Sequence, residues 1–196
     1  MVKIGFIVEG DTEKIIIESA AFNAWLTAQN ISLCHPVIDA KGGGNLLPQN
    51  IGAMISTLRS KQVDYIVILT DLEDEASPAV VRSRIGSADT PHIFVAVKAI
   101  EAWFLADTLA LQKWLGINDI VEDKPEETIG KPWDRLKELA QHHQKPGPGG
   151  SKPNFAKKMT KHFGFTTATA AQHPHCPSVK EFCDSLIVLG QQQVQL

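Results

Sequence analysis

The chain reads as short apolar runs separated by stretches of mixed polarity. Residues 3–8 (KIGFIV) are apolar on both faces and rich in β-branched and aromatic side chains, as a strand inside a parallel sheet should be. Thr12 then caps an expected helix through about Gln29, with Ile15, Ile16, Ser19, Phe22, Ala24 and Leu26 fitting a 3.6 period loosely. A second strand is expected from Ser32 to Ile38, followed by the connector Lys41-Gly-Gly-Gly-Asn45 and a helix from Leu46 to Arg59. Residues 64–70 (DYIVILT) give the clearest strand signal. It stops at DLEDE, and Ser77-Pro78 opens another helix with a cap followed by proline. His92 to Val97 reads as a fourth strand and Ile100 to Asp107 as the helix after it.

Strand–helix alternation of this kind predicts an α/β fold with a mostly parallel sheet of about four strands and helices on both faces. Past Trp114 the pattern changes. Residues 117–132 read as an acidic loop, Trp133 to His143 as a helix, and Lys145-Pro-Gly-Pro-Gly-Gly150 as a loop. Asn154 to His162 reads as a basic helix, and Ser178 to Leu189 as a last helix with Ser178 as N-cap and Glu181 completing a capping box. The expected organisation is an α/β core over residues 1–114 with a helical appendage over residues 115–196, one domain overall.

Composition narrows the class. An apolar share of 43% and a charged share of 21% over 196 residues are ordinary globular values and argue against disorder. No apolar run approaches the roughly 20 residues that span a bilayer, and the run at Val2 is too short for a signal-peptide core, so no membrane association is expected. Cys34, Cys176 and Cys183 form an odd, widely spaced set, which suits a reducing cytoplasm better than a disulfide framework. Net charge is −3, so there is no global attraction to nucleic acid, but charge is segregated. Residues 71–75 hold four acids in five positions, whereas residues 141–162 hold Lys145, Lys152, Lys157, Lys158 and Lys161 and no acid.

The acids carry the candidate chemistry. In open α/β sheets ligands collect beyond the carboxyl ends of the strands. Glu9 and Asp11 follow the first strand, Asp71, Glu73 and Asp74 the third, and Glu101 the fourth, with Asp11, Glu13 and Asp74 as additional acids beside the main set. Carboxylates brought together repel one another unless a hard cation, which prefers oxygen ligands, compensates them. Any one of these acids has an ordinary explanation, since turns are polar and helix N-termini favour negative charge. Three groups at three strand ends point to a site.

Ile7-Val-Glu-Gly-Asp-Thr-Glu13 resembles the first TOPRIM motif, a glutamate after strand one with a glycine that lets the chain turn. Leu69-Thr-Asp-Leu-Glu73 resembles the second, normally Asp-x-Asp. Val97 to Asp107 and the closing Cys-Pro-Ser-Val-Lys-Glu-Phe182 resemble small bacterial TOPRIM-like proteins related to the OLD-family nucleases, so the likeness covers nearly the whole chain. The resemblance implies a TOPRIM-like (Rossmann-like) fold and Mg²⁺- or Mn²⁺-dependent phosphodiester chemistry on nucleic acid, with an ABC-type ATPase as a phage-defence partner. By match of motif, Glu9 would be the catalytic acid–base or a metal ligand, Asp71 and Glu73 metal ligands, and Glu101 a further ligand or the group that positions Lys98. Lys98 would neutralise charge on the phosphoryl oxygens. Glu73 departs from Asp-x-Asp, which leaves open the number of metals and a reading as an inactive binding or regulatory subunit. Hydrolysis of a small nucleotide is a third reading, and homo-oligomerisation is left open.

Other features change less. Lys41 and Gly43 in the glycine-rich connector offer a phosphate contact, although the segment lacks the Gly-Lys-Ser/Thr ending of a P-loop and a plain connector explains it as well. Lys152, Lys157 and Lys158 suit nucleic-acid contact or a solvated face. His173-Pro-His175-Cys176 matches no common zinc spacing. Trp103, Phe104 and Leu105 are expected in the core, and no Gly-x-Ser-x-Gly elbow supports a serine hydrolase.

Overall fold

A computed structural model describes residues 1–86 and 92–192. Four parallel strands, β1 (Val2–Val8), β2 (Ile31–Asp39), β3 (Tyr65–Asp71) and β4 (His92–Ala96), form one sheet in the order β2-β1-β3-β4. The strands alternate strictly. Ile4, Phe6, Val8, Val67, Leu69, Phe94 and Ala96 point into one apolar cluster, and Ile7, Ile66, Ile68, Ile93 and Val95 into another on the opposite face. A strand covered on both sides must be apolar at every position, which is why these runs show no polar alternation.

Helices close both faces. Between β1 and β2 run α1 (Asp11–Ile17) and α2 (Ala20–Ala28). The single helix expected over 12–29 is therefore broken, because the Ser19 hydroxyl accepts from Phe22 N at 3.2 Å and caps a new start. After β2, a short 3₁₀ turn (Gly43–Leu46) leads to α3 (Gly52–Arg59), which begins later than the Leu46 start read from the sequence. Leu58 of α3 lies so close to β1 that a Cβ on Gly5 would fall 2.9 Å from its methyl carbons, so any larger residue there would have to push the Leu58 side chain aside. The next helix, α4 (Pro78–Ile85), covers the same face and is capped by Ser77 with proline at its start, as the sequence predicts.

The remaining helices pack on the first face. They are α5 (Glu101–Ala106), α6 (Thr108–Leu115), α7 (Pro132–His142), α8 (Lys152–Lys158) with a π turn at Met159–Phe163, α9 (Thr167–Ala170) and α10 (Pro177–Gln191). Trp103, Phe104 and Leu105 are fully buried, as expected. Phe182 of α10 sits at the centre, with its ring centroid 5.4 Å from both Phe94 and Trp103, 5.9 Å from Phe22 and 6.4 Å from Phe6. Ser178 is not the N-cap of α10. Cys176 is, Pro177 occupies the first turn, and the Ser178 hydroxyl instead bonds Glu126 and accepts from Trp103 Nε1 at 2.8 Å. Among the described residues no helix is long and apolar enough to cross a membrane. All three cysteines are buried free thiols.

Candidate metal-dependent active site

The strand order places the site. From β1 the chain moves to β2 on one side and later returns to β3 on the other, so the order in which strands are added reverses between β1 and β3. At such a point the connections leave toward opposite faces and open a crevice beyond the carboxyl ends of the strands. Glu9 directly follows β1 there and Asp71 ends β3. Glu9 N donates to Leu69 O at 3.0 Å, and one oxygen of the Glu9 carboxylate accepts from Asp71 N at 3.1 Å and from the Thr70 hydroxyl. Asp71 Oδ1 accepts from Ile100 N at 2.8 Å, which ties the end of β3 to the start of α5 and sets Glu101, 1% exposed, on the crevice wall.

Glu13 completes the cluster. It lies one turn into α1, is 4% exposed, and reaches back to accept from Gly10 N at 3.1 Å. Burial and the charges of Glu9 and Glu101 push its carboxyl up to about 7. Asp71 is raised well above the ordinary aspartate range by burial and then by Glu13, Glu101 and Glu9. Four carboxylates from three strand ends therefore share one electrostatic environment. Lys152, from α8, meets Glu101 Oε2 at 3.0 Å. Burial alone would lower the Lys152 ammonium, but Glu101, followed by Asp71 and Glu13, holds it above its usual value.

Two adjoining hollows open from this point and share Asp71, Glu73, Glu101 and Lys152. One, about 400 Å³, is the acidic lobe and includes Glu9, Asp11, Glu13 and Asp39. Lys41 stands at its rim, bonded to Asp11 at 3.2 Å and Asp39 at 2.5 Å, and Gly43 brings backbone so near that a Cβ there would sit 3.4 Å from Glu9 Oε1. The other, about 320 Å³, carries Asp74, Lys98 and Lys131. Lys98 donates its ammonium to the carbonyls of Thr128 and Gly130, which pins the 128–130 turn beside the cleft.

The sequence-predicted residues thus divide. Glu9, Asp71 and Glu101 line one hollow, with Glu13, named only as an additional acid, buried beside them. Glu73 lines both lobes but is exposed, at a backbone φ of 50°, and Asp74 lines the second lobe alone. Lys152 enters the cleft, whereas Lys157 and Lys158 are exposed along α8. Cys176 Sγ donates to Glu126 at 3.2 Å. As they stand, no three His, Cys, Asp or Glu side chains among the described residues are arranged to hold a metal ion.

Residues 8–187 match the family model described as a domain of unknown function, DUF4276. The chain belongs to the DUF4276 family. No curated protein matches it. Among solved structures, the C-terminal region of the Burkholderia pseudomallei OLD protein is 17% identical, with a TM-score of 0.50 over 96% of this chain and 98% of that one. The corresponding region of the Xanthomonas campestris pv. campestris OLD protein is 15% identical, with a TM-score of 0.42 over 95% and 96% of the two chains. The first of these shows that this DUF4276 chain shares its α/β fold with the C-terminal region of an OLD protein.

Proposed function

We propose that the cleft performs metal-dependent phosphodiester cleavage or phosphoryl transfer on nucleic acid. The observation that carries the reading is the gathering of Glu9, Glu13, Asp71 and Glu101 at the reversal point of the sheet, with Glu13 and Asp71 both pushed up by their neighbours. An all-oxygen set of crowded carboxylates fits a hard divalent cation, which would relieve their mutual repulsion. Glu9, Asp71 and Glu101 would hold it, with Glu73 in reach of the same opening. Bound Mg²⁺ or Mn²⁺ supplies polarisation of the phosphoryl oxygen. Glu9, held by Thr70 and Asp71 N, is oriented to position a water or take its proton. Lys98 and Lys152 place positive charge beside the acids to receive phosphoryl oxygens. The fold shared with part of an OLD protein agrees with the nuclease relation implied by the TOPRIM-like motifs, and an ABC-type ATPase partner belongs to the same proposal.

A second reading has its own support. Named oxygens of these acids already accept protein hydrogen bonds, and no ready metal geometry stands among the described residues. A binding or regulatory subunit could keep the fold without the chemistry. Glu9→Gln and Asp71→Asn separate the two. Both should abolish Mg²⁺- or Mn²⁺-dependent cleavage across a panel of DNA, RNA and nucleotide substrates, and undiminished cleavage in either variant would refute the catalytic reading.

A further inference from the structure

Two ammonium groups line the acidic lobe, and they differ in kind. Lys41 has a side chain 69% exposed and is tied to the rim by Asp11 and Asp39. Lys152 reaches inward, its Nζ 3.0 Å from the Oε2 of a Glu101 side chain only 1% exposed. Resting on the metal reading above, we propose that Lys152 acts as the internal counter-cation of the metal-free cluster and must release Glu101 before a divalent ion is held there.

The remaining donors to these acids cannot perform that exchange. Gly10 N, Asp71 N and Ile100 N are backbone groups fixed at the ends of α1, β3 and α5, each holding one oxygen of Glu13, Glu9 or Asp71, and the Thr70 hydroxyl on Glu9 sits on a short side chain and carries no charge. An ammonium on a flexible stem can leave where a backbone amide cannot. Lys152 also has a way out, since its side chain is 44% exposed. It opens α8 just past the Ser151 cap and the Lys145–Gly150 run rich in glycine and proline, with Gly149 at φ +88°. Nothing in the helix favours it there, because the positive end of a helix dipole repels a cation at the first turn. The acids hold it. The pairing also explains why the carboxylates are close in charge but not arranged as a finished metal centre: Glu101 is turned to Lys152.

The test is Mn²⁺ affinity, measured by titration calorimetry on the full chain without substrate, for wild type, Lys152→Gln and Lys41→Gln. Removing a charge-assisted hydrogen bond that competes with the metal should tighten Mn²⁺ binding on the order of tenfold in K152Q. K41Q removes the same charge from the same lobe and should change binding by no more than about twofold, since an exposed pair is screened. Lys152→Arg keeps the cation and should stay near wild type. Unchanged or weaker binding in K152Q, or an equal gain in K41Q, overturns the proposal. Thermal melts of the variants confirm that the fold is intact. Absence of Mn²⁺ binding in both wild type and K152Q would instead defeat the metal reading itself, so the two failures are distinguishable. A second readout follows acylation of Lys152 by an amine reagent, quantified by peptide mass. Mn²⁺ should increase its reactivity severalfold, and protection or no change would count against release.

Discussion

Glu13→Gln isolates the electrostatic strain in the cluster. Gln keeps an oxygen acceptor for Gly10 N and fills nearly the same volume, so the substitution removes charge and little else. A carboxyl that ordinarily titrates near 4.5 is pushed up to about 7. At about 1.4 kcal/mol per tenfold change in proton affinity, this corresponds to roughly 3 kcal/mol. The direction follows from linkage. A carboxyl raised on folding binds its proton more tightly in the folded chain, so its favourable contribution is complete below pH 4.5. It is lost as pH rises through about 7. In EDTA at pH 8, E13Q should therefore be more stable than wild type by up to about 3 kcal/mol, a rise in Tm of roughly 6–12 °C for a chain of this size. Asp71 titrates in the same field and is itself raised by Glu13, so E13Q removes Glu13's share of the pH dependence and lessens the share that belongs to Asp71. Urea denaturation at pH 5, 6, 7 and 8 measures both effects. A difference between the two proteins that stays constant from pH 5 to pH 8, or an E13Q less stable than wild type at pH 8, would refute the reasoning.

Two further predictions concern the frame that holds the cluster in place. Phe182→Ala empties a fully buried site contacted by four aromatic rings and should lower stability by about 3–5 kcal/mol in urea; a loss under 1 kcal/mol would show that α10 is not anchored there. Gly190→Ala would place a methyl 2.0 Å from the backbone oxygen of Gln29 and 3.0 Å from the Ile31 side chain, and should cost about 3 kcal/mol or more by the same measurement. A neutral G190A would contradict the close approach of α10 to the turn after α2.

Much of the sheet was legible because a strand covered on both faces has no polar positions, and KIGFIV and DYIVILT have almost none. The ends of those runs therefore located Glu9 and Asp71 as well. The break at Ser19 was harder to see, since apolar spacing continues across it and only the cap interaction with Phe22 N marks the new start. The start of α10 was misread at Ser178 although Pro177, a residue type favoured in the first turn, pointed to Cys176 as the cap. Glu13 was undervalued for a physical reason. A glutamate three residues past a helix N-cap has a routine structural use, and only the tertiary packing that buries it at 4% exposure reveals a second one. The Lys152–Glu101 pair spans 51 positions of chain and leaves no local pattern at all.

The chain supplies its own comparison for deciding which buried acids are structural. Asp107 is buried between α5 and α6, accepts from Ala110 N at 3.1 Å and Thr166 N at 2.9 Å, and has Lys113 as its charged neighbour. Glu126 accepts from Cys176 Sγ, Ser178 N and the Ser178 hydroxyl, joining the 125–127 turn to α10. Each joins two segments through several donors and faces no competing carboxylate among those contacts. Glu13 and Asp71 are built in the opposite way, each with a named backbone donor and with other acids as its charged neighbours. Packing can account for the first arrangement, because burying an acid with donors on its oxygens joins elements at little loss. It cannot account for the second, in which like charges are held together at the mouth of a crevice against their repulsion. A proton on Glu13 or Asp71, which their raised titration favours, relieves part of that opposition, and the Lys152 ammonium at Glu101 relieves more from the chain's own side.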